Sequence, residues 1–211
     1  VEGQKLAEVK PGNPKFSHAS LWSDGRSPEV PSTSHITIVD RDRNVVSMTT
    51  TIEAGFGSRV FVRGFLLNNQ LTDFSFATHK EGVPVANRVE PGKRPRSSMA
   101  PTIVFQDKKP VLAIGSPGGS QIIGYVAKSL IAQIDWNMDV QAAISLPHIV
   151  NRFGIMEIEQ GTNAEKLAPA FQAMGYEVKI APLTPGLHGI AITPDGLIGG
   201  ADPRREGVAA G

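Results

Sequence analysis

Thr33 and Thr51 are the residues of this chain whose types and spacing most invite chemistry. A threonine hydroxyl is a weak nucleophile until a base takes its proton. One available base is the residue's own α-amine, freed when the chain is cut just before it. Thr33 stands in "PSTSHITIVD", residues 31 to 40, after a loosely patterned stretch rich in Pro, Gly, Ser and Lys. A cut there costs little fold. The alternating runs "SHITIVD" and "VVSMTTTI" read as strands joined by the polar turn "DRDRN". If Val39 faces Val45, then Thr37 faces Ser47, His35 faces Thr49 and Thr33 faces Thr51. Directly opposed residues share a face, with Cβ atoms about 4.5–5.5 Å apart. Two roles are open to such a pair: an ordinary cross-strand Thr–Thr contact, or a nucleophile and the hydroxyl that orients it. A slip of one residue would separate them.

"GSPGGS", residues 115 to 120, falls between a strand pattern and a helix pattern. Backbone N–H groups at such a junction lack partners and meet the positive end of the helix dipole. Adjacent glycines let a substrate approach the backbone. The stretch reads as an oxyanion hole for acyl transfer, as a phosphate cradle, or as a tight connection with Ser120 as N-cap. No Lys-Ser/Thr pair follows the glycines, which excludes a Walker loop. "LLNNQLTDF", residues 66 to 74, and "RPRSSM", residues 94 to 99, gather amides, an acid, serines and cations. Each alone reads as ordinary loop polarity.

The elements that must position these groups follow from the pattern. A second hairpin is expected from "PTIVFQ" and "PVLAIG" about "DKK", then an amphipathic helix over "QIIGYVAKSLIAQIDW". Its Ile122, Ile123, Val126, Leu130, Ile131 and Ile134 are expected on one face. A helix capped by Asp139, a strand over "GIMEIEQ", a helix over "NAEKLAPAFQAMG" interrupted by Pro169, a strand over "YEVKIAP" and a final hairpin complete the chain. Early strands, then helices, then more strands indicate an α+β layered fold. The 211 residues suffice for one sizeable core, expected over residues 33–211, with 1–32 a tail or linker. Hydrophobic residues make up 40%, charged residues 19%, and the net charge is +1, so neither nucleic acid nor a membrane surface is indicated. There is no cysteine, which excludes disulfides and a thiol nucleophile. The apolar runs are too short to span a bilayer.

Taken in order, "TSH", "LLNNQ..DF", "KRPRSSMAPTIV", "GSPGGS" and "ADPRR.G.A.G" resemble the catalytic small subunit of the gamma-glutamyltranspeptidases, from about Thr33 to Gly211. The resemblance implies an N-terminal nucleophile hydrolase fold, an αββα sandwich, of which this chain would be half of the full heterodimer. It implies a precursor that cleaves itself between Ser32 and Thr33. Thr33 would be the nucleophile, its α-amine the base, and Thr51 its hydrogen-bonding partner. Gly118 and Gly119 would be the oxyanion glycines. Ser97 and Ser98 would hold the α-carboxylate of a γ-glutamyl group. Asp73 would grip its α-amino group, with Gln70 in the same motif and Glu53 at the same substrate end. No cofactor and no metal are implied. The implied partner is a large subunit from the same precursor, which in the family supplies an Arg to the substrate carboxylate. The implied substrates are glutathione-like γ-glutamyl amides, with an amino acid, a peptide or water as acceptor.

This chain departs from the family pattern between Asp73 and Lys93, where the loop is short and has no Tyr, so an aromatic lid is not expected. Residues 1–32 resemble the tail of a large subunit still attached. Two alternatives remain beside transfer or hydrolysis: an acylase for other side-chain amides, of the cephalosporin or poly-γ-glutamate type, and an unprocessed, non-catalytic homologue. Family members are often periplasmic or secreted, while the residues themselves leave the compartment open.

Overall fold

The computed structural model describes residues 32–152 and 154–211; the expected tail lies, but for Ser32, outside them. The described chain falls into two compact units, one of Ile52–Ser97 and one joining the residues up to Thr51 to Ser98–Gly211.

The larger unit begins with the hairpin of β1 (Thr33–Val39) and β2 (Val45–Thr51), paired antiparallel with Thr33 opposite Thr51, His35 opposite Thr49 and Thr37 opposite Ser47. The turn sets this register. Asp40 Oδ1 accepts from the backbone N–H of Asp42 at 2.9 Å and of Asn44 at 2.8 Å, and Arg43 takes φ 66°. An aspartate that bonds the backbone two residues on mimics a backbone turn.

The unit of Ile52–Ser97 holds two minimal hairpins, β3 (Phe61–Val62) with β4 (Phe65–Leu66) and β5 (His79–Lys80) with β6 (Val83–Pro84). Between the hairpins lies a 3-10 turn over Gln70–Asp73. Phe74 and Val85 are its buried apolar side chains.

The larger unit resumes with β7 (Thr102–Gln106) and β8 (Lys109–Gly115), then α1 (Ile122–Ile134), α2 (Val140–Ser145), β9 (Ile149–Arg152), β10 (Ile155–Glu159), α3 (Ala168–Ala173), β11 (Glu177–Ala181), β12 (His188–Thr193) and β13 (Gly196–Ala201). Asp107 and Lys108, both at positive φ, turn β7 into β8. One sheet has the order β13-β12-β8-β7 and another β11-β10-β9, in which β10 and β11 run parallel. The β1–β2 hairpin stacks on one face of the four-stranded sheet, where Thr37 Oγ1 donates to His188 O at 3.4 Å and Ser47 Oγ to Ile114 O at 3.3 Å. The helices take the other face: a Cβ at Gly189 would meet Val140, and one at Gly200 would meet Ile144 and Gln141. Tyr125, Ile114, Ile122, Ile144 and Leu187 fill the core between sheet and helices. Asp139 caps α2, accepting from Ala142 N at 2.9 Å.

The hairpin is patterned the wrong way round for a free-standing sheet. Thr33 and His35 are buried and Thr37 and Ser47 half-buried, whereas Ile36, Ile38, Val46 and Met48 are each at least 44% exposed. Polar groups face the neighbouring sheet, and an apolar strip faces outward.

Three local expectations are corrected. The six apolar residues of α1 do not share one buried face: Ile122 and Val126 are buried, but Ile123, Ile131 and Ile134 are exposed. Ser120 is no N-cap, because a 3-10 turn over Gly119–Gln121 precedes α1 and makes no side-chain cap bond. The "NAEKLAPAFQAMG" segment splits into a 3-10 turn over Asn163–Leu167 and α3, with Pro169 in the first turn of α3, where its missing N–H costs nothing. Strand β9 has no counterpart among the expected elements, because "IVNR" is too short to show a two-residue alternation.

Candidate active site

Thr33 is the first residue of β1 and is 8% exposed. Its Oγ1 donates to Thr51 Oγ1 at 3.3 Å, and Thr51 Oγ1 in turn lies 3.5 Å from the carbonyl oxygen of Ser32. The two hydroxyls thus sit beside the peptide bond that joins Ser32 to Thr33. One step further along the same face, His35 Nδ1 is 2.8 Å from Thr49 Oγ1 and its Nε2 is 3.1 Å from Thr37 Oγ1. Burial first, and then the neighbouring His188, push His35 down to about 4, so its ring is neutral at ordinary pH. A neutral imidazole has one donor and one acceptor nitrogen, and two flanking hydroxyls suit either tautomer.

The His35 ring packs against Gly115, the last residue of β8, and so ties the strand of Thr33 to the strand that leads into "GSPGGS". In that loop Ser116 Oγ donates to Pro117 O at 2.6 Å and accepts from Gly186 N at 3.3 Å. Gly118 takes φ 133° and Gly119 φ 59°. At Gly118 glycine is required twice over: the backbone is left-handed, and a Cβ would lie 2.7 Å from Cε2 of Tyr125. Gln121 N–H bonds back to Gly118 O at 3.2 Å.

The smaller unit arranges the amide-rich stretch. Asn69 Nδ2 donates to Glu53 Oε2 and, at 3.0 Å, to Thr72 Oγ1, while its Oδ1 accepts from Ala54 N at 3.0 Å. Gln70 Nε2 donates to Asp73 Oδ2, and Asn87 Nδ2 to Asp73 O at 2.6 Å. Glu53 holds φ 73°, an uncommon value for a residue with a Cβ. Asn69 is the hub here, and the sequence reading named it only as part of a polar run. Ser97 is exposed and Ser98 half-buried, on either side of the division between the units. Within their own units, then, Thr33 meets Thr51, Gln70 meets Asp73, and Glu53 meets Asn69.

The model of the family described as Gamma-glutamyltranspeptidase matches residues 4–211. This chain belongs to the gamma-glutamyltranspeptidase family. A glutathione hydrolase proenzyme of Bacillus subtilis (strain 168) is 41% identical over 186 residues, covering 85% of this chain and 30% of the relative. The Acylase ACY 1 proenzyme of Pseudomonas sp. (strain SE83) is 32% identical over 191 residues, covering 89% and 33%. Among solved structures, an acivicin-inhibited gamma-glutamyltranspeptidase superposes with a TM-score of 0.72 at 37% identity, covering 82% of this chain and 98% of that one. The chain therefore spans about 30% of the length of the first of these curated relatives. Its fold is that of the N-terminal nucleophile hydrolases, with mixed helix and sheet.

Proposed function

We propose that this chain carries the nucleophile of an enzyme that hydrolyses or transfers γ-glutamyl groups from glutathione-like amides, after cleavage between Ser32 and Thr33. The observation that carries the reading is the Thr33–Thr51 hydroxyl pair beside the Ser32 carbonyl. In maturation the Thr33 oxygen adds to that carbonyl, the peptide C–N bond breaks to free the α-amine and leave Ser32 as an ester on Thr33 Oγ1, and water hydrolyses the ester to a Ser32 carboxylate and the free Thr33 hydroxyl. The amine then accepts the Thr33 hydroxyl proton as the oxygen attacks the γ-carbonyl of the substrate. Thr51 orients the attacking oxygen. Backbone N–H groups at Gly118 and Gly119 stabilise the tetrahedral oxyanion. The protonated α-amine passes its proton to the departing amine, leaving an acyl-enzyme on Thr33. Water or an acceptor amine then releases the γ-glutamyl group.

Asp73, with Gln70 and Glu53, holds the α-ammonium, and Ser97 and Ser98 the α-carboxylate. The partner is a large subunit of the same precursor. In support, this chain spans a minor part of its relatives, and the outward strip of Ile36, Ile38, Val46 and Met48 offers an apolar surface for a covering layer. A groove of about 820 Å³ runs along β1 past His188, Gly199 and Val208–Gly211, open to a further segment.

The acylase relative favours a second reading, an acylase for other side-chain amides, which would not need the α-ammonium that Asp73 is proposed to hold. The two separate on kcat/KM for a γ-glutamyl and a matching glutaryl anilide. Charge-assisted hydrogen bonds contribute about 1.5–3 kcal/mol each, so the γ-glutamyl substrate should be preferred by about tenfold or more. Asp73→Asn should erase most of that preference. Equal values on the unmutated enzyme would overturn the γ-glutamyl reading in favour of the acylase.

A further inference from the structure

Directly after Gly118 and Gly119, both following residues are held by side chains of the β9–β10 pair. Arg152, the last residue of β9, donates from Nη1 to Ser120 Oγ and from Nε to Glu157 Oε2 at 2.8 Å. Gln121 Nε2 donates to the same Glu157 oxygen at 2.9 Å. Tyr125 OH donates to Gln121 Oε1 at 2.8 Å, and the Tyr125 ring is the one that underlies Gly118. Glu157 is 6% exposed, and besides Arg152 the charged group facing it is Lys179 of β11, 3.9 Å from Oε1. A carboxylate this buried is retained at a cost unless its bonds are complete. Here one of them, from Gln121, comes from the short turn itself, and the Arg152 that makes another also reaches Ser120 of that turn.

We propose that Arg152 and Glu157 are a positioning pair that fixes the Gly118–Gly119 turn in the geometry needed to bind an oxyanion. The inference rests on the reading that this turn is the oxyanion site. Neither residue touches the reacting atoms. They act through Ser120 and Gln121, which hold the chain on the C-terminal side of the glycines, while Tyr125 supports Gly118 from below. An oxyanion hole works because its donors are aimed before reaction, so a turn free to rotate loses rate without losing ground-state affinity.

The test uses the full-length, matured enzyme with Glu157→Gln, Arg152→Lys and Arg152→Met. Readouts are kcat and KM for a γ-glutamyl anilide per processed molecule, and hydrogen–deuterium exchange of residues 116–121. Loss of one oxyanion donor costs about 10²–10³ in kcat, so a misaimed turn should cost about tenfold or more. Glu157→Gln should lower kcat by that factor, leave KM within about twofold as expected for a transition-state interaction, and speed exchange in 116–121 but not in β8 or α1. Arg152→Lys should recover part of what Arg152→Met loses. Unchanged kcat per processed molecule, or a lowered kcat with exchange of the loop unaltered, would overturn the pairing role. If the unmutated enzyme turns over no γ-glutamyl anilide, the oxyanion reading fails, and loop exchange alone decides the pair: exchange unaffected by Glu157→Gln overturns it.

Discussion

A Cβ added to Gly115 would lie 2.1 Å from Cε1 of His35. The strand that starts at Thr33 and the strand that leads to Gly118 reach this separation only because residue 115 has no side chain, and the neutral imidazole fills the space left. Gly115→Ala must displace the His35 ring or the end of β8. The expected result is a lowered melting temperature together with a loss in turnover per folded molecule. Lowered stability with unchanged turnover would confine the contact to packing.

His35 also sets a pH dependence. Its folded-state value, about 4, lies below the ordinary 6.5, so between these values the unfolded chain binds the proton that the folded chain refuses. Stability is complete above about pH 6.5 and falls as the pH drops toward 4, by at most about 1.36 kcal/mol per pH unit for each such group. His148, buried and facing Lys128 and Arg204, is lowered in the same direction and adds to the slope. Urea melts from pH 7.5 to 4.5 should show a shallower fall for His35→Asn than for the unmutated protein. Equal slopes would mean that His35 does not carry the effect.

Thr51→Val keeps the shape of the side chain and removes the hydroxyl that receives the Thr33 bond. Turnover of matured enzyme should drop by one or more orders of magnitude, each tenfold being about 1.4 kcal/mol of transition-state energy. A matured variant with the original turnover would leave the pair as an ordinary cross-strand contact.

Much of this frame was legible in the residues. The polar turn at Asp40 and the alternation on both sides of it give the full β1–β2 register, because a two-residue periodicity leaves few alternatives once the turn is placed. The positions joined across long stretches of chain were not legible. Glu157 read as one polar residue in the strand "GIMEIEQ", and nothing local ties it to Gln121. Likewise Ile123, Ile131 and Ile134 count as apolar in any periodicity, yet they point away from the core of their own unit. Periodicity reports that a face is apolar and is silent on which body covers it. The separation of Ile52–Ser97 as its own unit was also not legible, since a compact unit is set by which residues pack together and not by local pattern.

Gly118 and Gly119 both hold left-handed backbone, at φ 133° and φ 59°. Gly118→Ala also meets the Tyr125 ring, and a side chain in the left-handed region costs roughly 1–2 kcal/mol. Gly118→Ala and Gly119→Ala should therefore both melt at a lower temperature than the unmutated protein. Both should lose turnover per folded molecule, since each moves an amide of the same turn. Retention of rate in the folded fraction of both variants would assign the glycines to the connection alone.

The central claim is that Thr33 becomes the N-terminal residue by its own chemistry. Intact-mass measurement and N-terminal sequencing of the full-length precursor, unmutated and as Thr33→Ala, test it directly. The unmutated product should resolve into two chains, the smaller beginning at Thr33, and Thr33→Ala should remain one chain of precursor mass. Two chains from Thr33→Ala at the normal rate, or a smaller chain beginning at any other residue, would contradict the account.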